Sequence, residues 1–266
     1  MDGHFVALLD VLGFSALVTA DATGDRVRGY LGCLERATKE SDVEYVVFSD
    51  SIVLTAEGDG PDSLLAVART CSRLLGDLLN EGIPLRGAIA FGSLVRSAIA
   101  KSVFVAGRAV IEAYQFEQAQ NWVGIMVAPS ALSHVPDLRS RCYRSNLTDD
   151  KSFKEALPRL PWAAFIQPCH RIPFHTSTPQ ERSSFDGFAI VPTNGELEPA
   201  SLRDSIFVAM KRLEWLRAIA PSPRAQEKHQ EAINWLSDIA THWHNVAAIQ
   251  EQVQKAAALK LQPQQE

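Results

Sequence analysis

The sequence predicts an α+β fold, and three features carry that prediction. Short apolar runs of strand length alternate with amphipathic stretches of helical period. Two of the strand runs are joined by a tight polar turn, as a hairpin. Glycines and prolines punctuate the junctions between these segments.

The elements follow in order. Phe5–Val11 reads as a buried strand, apolar on both faces apart from Asp10, and Gly13 breaks it. Ser15 is placed to cap a helix that extends in some form through Arg26 to Lys39. Val43–Phe48 and Ile52–Thr55 are strands two and three. The turn Ser49-Asp-Ser51 puts an aspartate at the tip of their hairpin, and Gly58-Asp-Gly-Pro61 ends the third strand. Over Asp62–Asn80, Leu64, Leu65, Ala68, Cys71, Leu74, Leu75 and Leu78 fall on one helical stripe, closed by Gly82. Leu85–Phe91 is a fourth strand, closed by Gly92. A helix follows Gly107 to about Gln120, and Trp122–Val127 is a further strand. The order β-α-β-β-α-β, then α-β, is that of a ferredoxin-like core with an added helix and strand, helices mainly on one face.

We divide the chain into this core (1–130), an irregular extension (131–200) and a helical region (201–266). The extension is rich in proline, with Trp162–Ile166 and Phe188–Val191 as added strands. In the last region one helix ends near Ala220, before Pro221-Ser-Pro223. A second runs from about Ala225 into the 250s, with Ile233, Leu236, Ile239, Trp243 and Val246 at helical spacing. The Gln-rich end after Leu261 is expected to fray.

Composition removes several classes. Hydrophobic residues are 46% and charged residues 21% of the 266, which excludes a disordered or collagen-like chain. Lys plus Arg is 26 against 31 Asp plus Glu, a net charge of −5, which argues against wrapping nucleic acid on a basic face. The apolar runs are too short to span a bilayer, and Asp2, His4 and Asp10 interrupt any secretory signal. Cys33, Cys71, Cys142 and Cys169 show no paired spacing, as expected of reduced thiols in a cytoplasmic protein.

The chemistry is carried by two aspartates. In a ferredoxin-like sheet the first strand neighbours the hairpin, so Asp10 can face Asp50 across adjacent strands. Two carboxylates so placed repel each other. Either a divalent cation bridges them, with oxygen ligation suited to Mg²⁺ or Mn²⁺, or an arginine neutralises Asp10 and Asp50 is a plain turn residue. Leu12–Ala16 runs from strand into helix, where free backbone N–H groups gather and a phosphate can sit.

The motifs resemble those of class III nucleotide cyclases. Leu8-Leu-Asp-Val-Leu-Gly-Phe-Ser15 resembles the F-x-D-I-x-G-F-T segment, and Phe48-Ser-Asp-Ser-Ile52 the second metal segment. Leu85-Arg-Gly-Ala-Ile-Ala-Phe-Gly92 is similar to the R-x-G-I-x-x-G strand. Gly107–Glu117 fits the frame of the G-x-x-V-N-x-A-A-R-x-x-E helix, and Trp122–Ser130 the strand ending in serine that follows it. Together these cover residues 5–130.

The resemblance implies a metal site of Asp10, Asp50 and the intervening segment at Val11, holding two Mn²⁺ or Mg²⁺ ions. It implies a triphosphate cradle at Gly13, Phe14 and Ser15. Val46, Phe104, Arg108 and Gln115 would then line the base and ribose. The departures are equally informative. The family's transition-state Asn and Arg fall on Ile111 and Gln115, and its adenine-reading Lys and Asp fall on Val46 and Phe104. The F-S-D-S-I and G-x-A-x-x-E-A-Y-x-x-E forms are similar to the pyrimidine cyclases of bacterial Pycsar antiphage systems. That similarity implies a homodimer with composite sites, UTP or CTP as substrate, and a cyclic product read by a separate cyclic-nucleotide-binding effector. Lys101, Arg86, Arg96 and Arg108 are candidates to replace the missing arginine, each otherwise a solvated surface residue. A non-catalytic nucleotide sensor and a polymerase-palm relative are the competing readings.

Overall fold

The computed structural model describes residues 3–39, 41–99, 102–142, 160–174 and 183–260. Lys101 and the tail after Leu261 lie outside them.

The chain opens with β1 (Gly3–Val11), α1 (Phe14–Ala20) and α2 (Asp25–Thr38). The hairpin β2 (Val43–Phe48) and β3 (Ser51–Ala56) follows, then α3 (Pro61–Asn80) and β4 (Leu85–Ser93). A second hairpin, β5 (Val95–Ile99) and β6 (Ser102–Ala106), leads into α4 (Arg108–Ala119) and β7 (Gly124–Val127). Short helices α5 (Pro129–His134), α6 (Leu138–Arg141) and α7 (Leu160–Phe165) precede β8 (Ile166–Phe174) and β9 (Ser183–Ile190). The chain closes on α8 (Pro199–Ile219) and α9 (Pro223–Lys260).

Seven strands form one sheet in the order β2-β3-β1-β4-β7-β9-β8, and β5 and β6 pair separately. Only β4 and β7 are parallel; the other neighbours are antiparallel. The β2-β3-β1-β4 segment has the expected ferredoxin-like connectivity, and the fold is α+β.

Strand alternation gives the sheet two different faces. Phe5, Ala7, Leu9, Ile52, Leu54 and Leu85 join the stripe of α3 (Leu64, Ala68, Cys71, Leu74, Leu75, Leu78) in one continuous core, which extends to Leu202, Ile206, Leu236 and Trp243 of the terminal helices. The other face carries Leu8, Asp10, Arg86 and Ala90 in register, and α4 lies across it. Its contact is made of small residues: Ala90, Ala113 and Ala128, all fully buried, with Leu8 and Phe116 at the margin.

Several local expectations are corrected. Ser15 is not a cap: Gly13, at φ 77°, occupies the N-cap of α1, and Ser15 is the second residue of the helix. Left-handed Gly24 divides the long predicted helix into α1 and α2. Trp162–Phe165 is helical and the strand begins only at Ile166; the side chain of Gln167 donates back to the Ala163 carbonyl, one turn earlier. Phe188–Ile190 does join the sheet, beside β7. Gly92 does not end β4. It lies within the strand, where a Cβ would come 3.1 Å from the Ala109 nitrogen, so it admits the start of α4.

Candidate active site

The site gathers at one end of the sheet, from residues brought into a transverse row by register. Asp10, the penultimate residue of β1, pairs with Ser51 on one side and Arg86 on the other. Arg86 in turn pairs with Gly124 of β7. The turn that carries Asp50 is tied to β1, because the Val11 N–H donates to the Asp50 carbonyl at 2.9 Å. Ser49 takes the left-handed conformation this tight turn requires, φ 57°. The two predicted carboxylates are therefore neighbours, and the charge of Asp50 is felt at Asp10.

Arg86 is the group that sequence reasoning underweighted. It is no solvated surface residue. Buried at 7% exposure, it places Nη2 2.5 Å from Glu117 Oε1 and 3.6 Å from Asp10 Oδ2. Nη1 donates to the Gln120 carbonyl at 3.0 Å, while the buried Nε has no hydrogen-bond partner. Glu117 comes from the last full turn of α4 and is itself 1% exposed. The Arg86–Glu117 contact is short but poorly aligned, so it is best described as an ion pair. The neutralising arginine and the paired aspartates thus coexist.

The electrostatics follow from burial. Burial pushes the Asp10 carboxyl up; Arg86 opposes this, and Asp50 adds to it. Burial also raises Glu117, again against Arg86. Tyr30 of α2, edge-on to Phe14 at 5.6 Å, is pushed to about 12 by burial and then by the charge of Asp50; its buried hydroxyl has no hydrogen-bond partner among the described residues. Lys228 of α9 reaches the same cluster: burial lowers its ammonium, the charges of Arg86 and Arg224 add to this, and Asp10 and Glu117 oppose it. Tyr30 and Lys228 were not singled out in the sequence, because each is an unremarkable residue on a helix distant along the chain.

Asp10 and Asp50 suit a hard divalent cation. Arg86 stands off Asp10 at 3.6 Å, leaving that carboxylate free to take an ion, and the donors are oxygen only. Among the described residues no group of three or more His, Cys, Asp or Glu could hold a metal by itself. A ligand's phosphate oxygens and water would have to complete the shell. Val11 lies between the carboxylates with its side chain buried; Gly13 and Ser15 are exposed at the start of α1, and Phe14 is partly buried.

The remaining predicted residues separate into two groups. Val46 is on the site face: it pairs with Val53, which pairs with Leu8, two residues along β1 from Asp10. Phe104, half exposed on β6, and Arg108, at the start of α4, lie beyond the far end of β4. Seven residues of strand separate Arg86 from Ser93, roughly 23 Å. Ile111 (59% exposed) and Gln115 face solvent from α4. The structure therefore does not bring Phe104 or Arg108 to Asp10 within one chain, and it turns Gln115 to solvent although Glu117, two residues on, faces Arg86. Arg96 is committed elsewhere, in an ion pair with Glu44.

No family model matches this chain, and no curated protein matches it by sequence. Solved structures similar to it include the adenylyl cyclase CyaB from P. aeruginosa, with a TM-score of 0.47 and 12% identity over 71% of this chain and 94% of that one. The guanylyl cyclase Cya2 gives 0.44 and 10%, over 71% and 94%. A class III adenylyl cyclase-like ATP-binding protein from Pseudomonas aeruginosa gives 0.43 and 19%, over 60% and 40%. The α+β assignment rests on the strand order and register of this chain. No helix among the described residues is long and apolar enough to cross a membrane.

Proposed function

We propose that this chain is a nucleotide cyclase that converts a pyrimidine nucleoside triphosphate, UTP before CTP, to its 3′,5′-cyclic monophosphate and pyrophosphate. The observation that carries this reading is the register that sets Asp10 beside Asp50 at one strand edge, next to an open stretch of sheet face at Leu8, Val46 and Val53.

In the proposed reaction the ribose 3′-hydroxyl gives up its proton to water, its oxygen attacks the α-phosphorus in line, the bond to the bridging oxygen breaks, and pyrophosphate carries that oxygen away. Divalent ions held by Asp10 and Asp50 would supply charge neutralisation at the phosphates and lower the pKa of the 3′-hydroxyl. The chain's own residues do the rest. Glu117 holds Arg86, whose charge faces Asp10, and the exposed start of α1 offers N–H groups to phosphate oxygens. Val46 offers an apolar wall with no donor or acceptor for a purine edge.

Because Phe104 and Arg108 lie far from Asp10 within one chain and Gln115 faces solvent, the reading includes a two-fold homodimer whose partner completes each site. It also includes Mn²⁺ or Mg²⁺ as cofactor, a cytoplasmic location, and a product that signals to a separate effector in antiphage defence.

A second reading, a nucleotide-binding sensor without turnover, is favoured by Ile111, which stands where a transition-state amide is expected. One experiment separates them. The protein is incubated with each of the four ribonucleoside triphosphates and Mn²⁺, and cyclic product and pyrophosphate are measured. Cyclic UMP or cyclic CMP in excess over purine products supports the cyclase. Metal-dependent binding without product supports the sensor, and purine turnover equal to pyrimidine turnover removes the base assignment.

A further inference from the structure

We propose that Lys228, from the C-terminal helix, is a phosphate-binding residue of the Asp10–Asp50 edge, its ammonium taking the terminal phosphates of a polyphosphate ligand. The inference deepens the cyclase reading and rests on it only for the nucleoside part of that ligand.

Position is the first argument. Asp10, Arg86 and Gly124 form one row across β1, β4 and β7. The Val123 N–H, one residue before the end of that row, donates to the Lys228 carbonyl at 3.3 Å. The backbone of Lys228 is therefore pinned beside Val123, at the end of a strand that lies about two strand spacings, roughly 10 Å, from that of Asp10. Its side chain turns back toward the cluster, where its charge acts on Arg86, Asp10 and Glu117.

The mount is firm. Trp235, on the same helix, donates to the Pro168 carbonyl at 3.1 Å and packs edge-on against Trp122 at 5.4 Å. Trp122 donates to Gln120 Oε1 at 2.8 Å, and the Gln120 carbonyl accepts from Arg86. A chain of direct contacts thus joins α9 to the arginine behind Asp10.

Charge is the second argument. Arg86 is engaged by Glu117 and Gln120 and faces Asp10. Lys228 is half-buried, feels the charges of Arg86 and Arg224, and has no direct ion pair among the described residues. Holding an ammonium there costs desolvation and repulsion from the two arginines that Asp10 and Glu117 offset only in part. An incoming polyphosphate would offset the rest. The outer face of α4 offers no cation at Ile111 or Gln115 to do this instead.

The competing role is structural: Lys228 could serve only to offset Asp10, Asp50 and Glu117. Calorimetric titration with inorganic tripolyphosphate in Mn²⁺, and with Mn²⁺ alone, separates the two. We expect Lys228→Met to weaken tripolyphosphate binding at least tenfold, Lys228→Arg to stay within a few-fold of wild type, and thermal midpoints to remain close. Mn²⁺ alone should bind Lys228→Met no more weakly than wild type. Unchanged tripolyphosphate affinity in the Met variant overturns the assignment, as does equal loss in Met and Arg variants. If Lys228→Met does not fold, Lys228→Gln is read by the same criteria, and collapse of both overturns it in favour of the structural role. A wild-type chain that binds tripolyphosphate through Lys228 yet cyclises no nucleotide keeps this inference and removes the cyclase. A chain that cyclises with Lys228→Met at wild-type KM and kcat does the reverse.

Discussion

Arg86 shares its charge unequally between two carboxylates, at 2.5 Å from Glu117 and 3.6 Å from Asp10. Replacing it by Met would leave two largely desolvated carboxylates without their cation. Removing one partner of a buried pair costs about 3–5 kcal/mol, and Arg86→Met should lose that much in urea denaturation at pH 7. The pH dependence has a definite sign. Asp10 and Glu117 are both raised in the fold, so the folded state binds more protons than the unfolded one just above the ordinary carboxyl range. Their contribution to stability therefore falls as pH rises through that window. Arg86→Met, lacking the opposing charge, should show a steeper fall and recover part of its loss near pH 5. Asp10→Ala and Asp50→Ala behave differently: each should fold with a circular dichroism spectrum like wild type, yet cyclise less than a few per cent of the wild-type amount. Surviving activity in either would remove the paired-carboxylate assignment. At this scale Asp10 and Asp50 were legible, because an acid inside an apolar strand and an acid at a hairpin tip each stand out. Tyr30 and Lys228 were not, since nothing in a helix's period marks which turn will meet a distant sheet edge.

At the scale of elements, periodicity carried most of the reading. The stripe of α3 is buried as its spacing requires at Leu64, Ala68, Cys71, Leu74, Leu75 and Leu78, with Leu65 partly buried at its edge. The failures have physical causes. The run Trp162 to Phe165 is buried throughout, so no alternation distinguishes a short helix from a strand. Gly92 was read as a stop, whereas its missing side chain serves a close approach by α4. The β5–β6 hairpin lies between Gly92 and Gly107, a stretch to which the sequence assigned no element. Gly76 shows how tightly the elements meet: on α3, its Cβ would fall 2.5 Å from the Thr193 carbonyl oxygen. Gly76→Ala should destabilise the chain by about 2 kcal/mol, because backbone on both sides must move. A thermal midpoint equal to wild type would show that the β9–α8 connection yields freely.

At the scale of the whole molecule, the distance along β4 sets the main prediction. If two chains complete each other, an Asp50→Ala variant mixed with one damaged at Phe104 and Gln115 should regain activity after subunit exchange. Random exchange puts about half the dimers in the mixed form, each with one intact site. Recovery should therefore approach a quarter of the wild-type rate per chain, and no recovery after exchange confirmed by mass spectrometry would end the composite-site reading. The terminal helices show the limit of reading function from local sequence. Trp243, on the predicted stripe, is buried and Trp215 is half exposed, while the place of Trp235 in the line of contacts to Arg86 depends on tertiary structure.

The alanine seam under α4 has a consequence for how such a chain can change over time. Ala113 and Glu117 look inward, fixed by Ala90, Ala128 and Arg86, while Ile111, Tyr114 and Gln115 look outward. The inner positions have no spare volume, so inheritance must keep them small or paired. The outer ones touch little of their own chain and can be exchanged with almost no penalty to folding. One helix thus keeps its chemistry-supporting side frozen while its other side is free to drift, and a lineage could try new ligands or new partners on that side without first losing the protein.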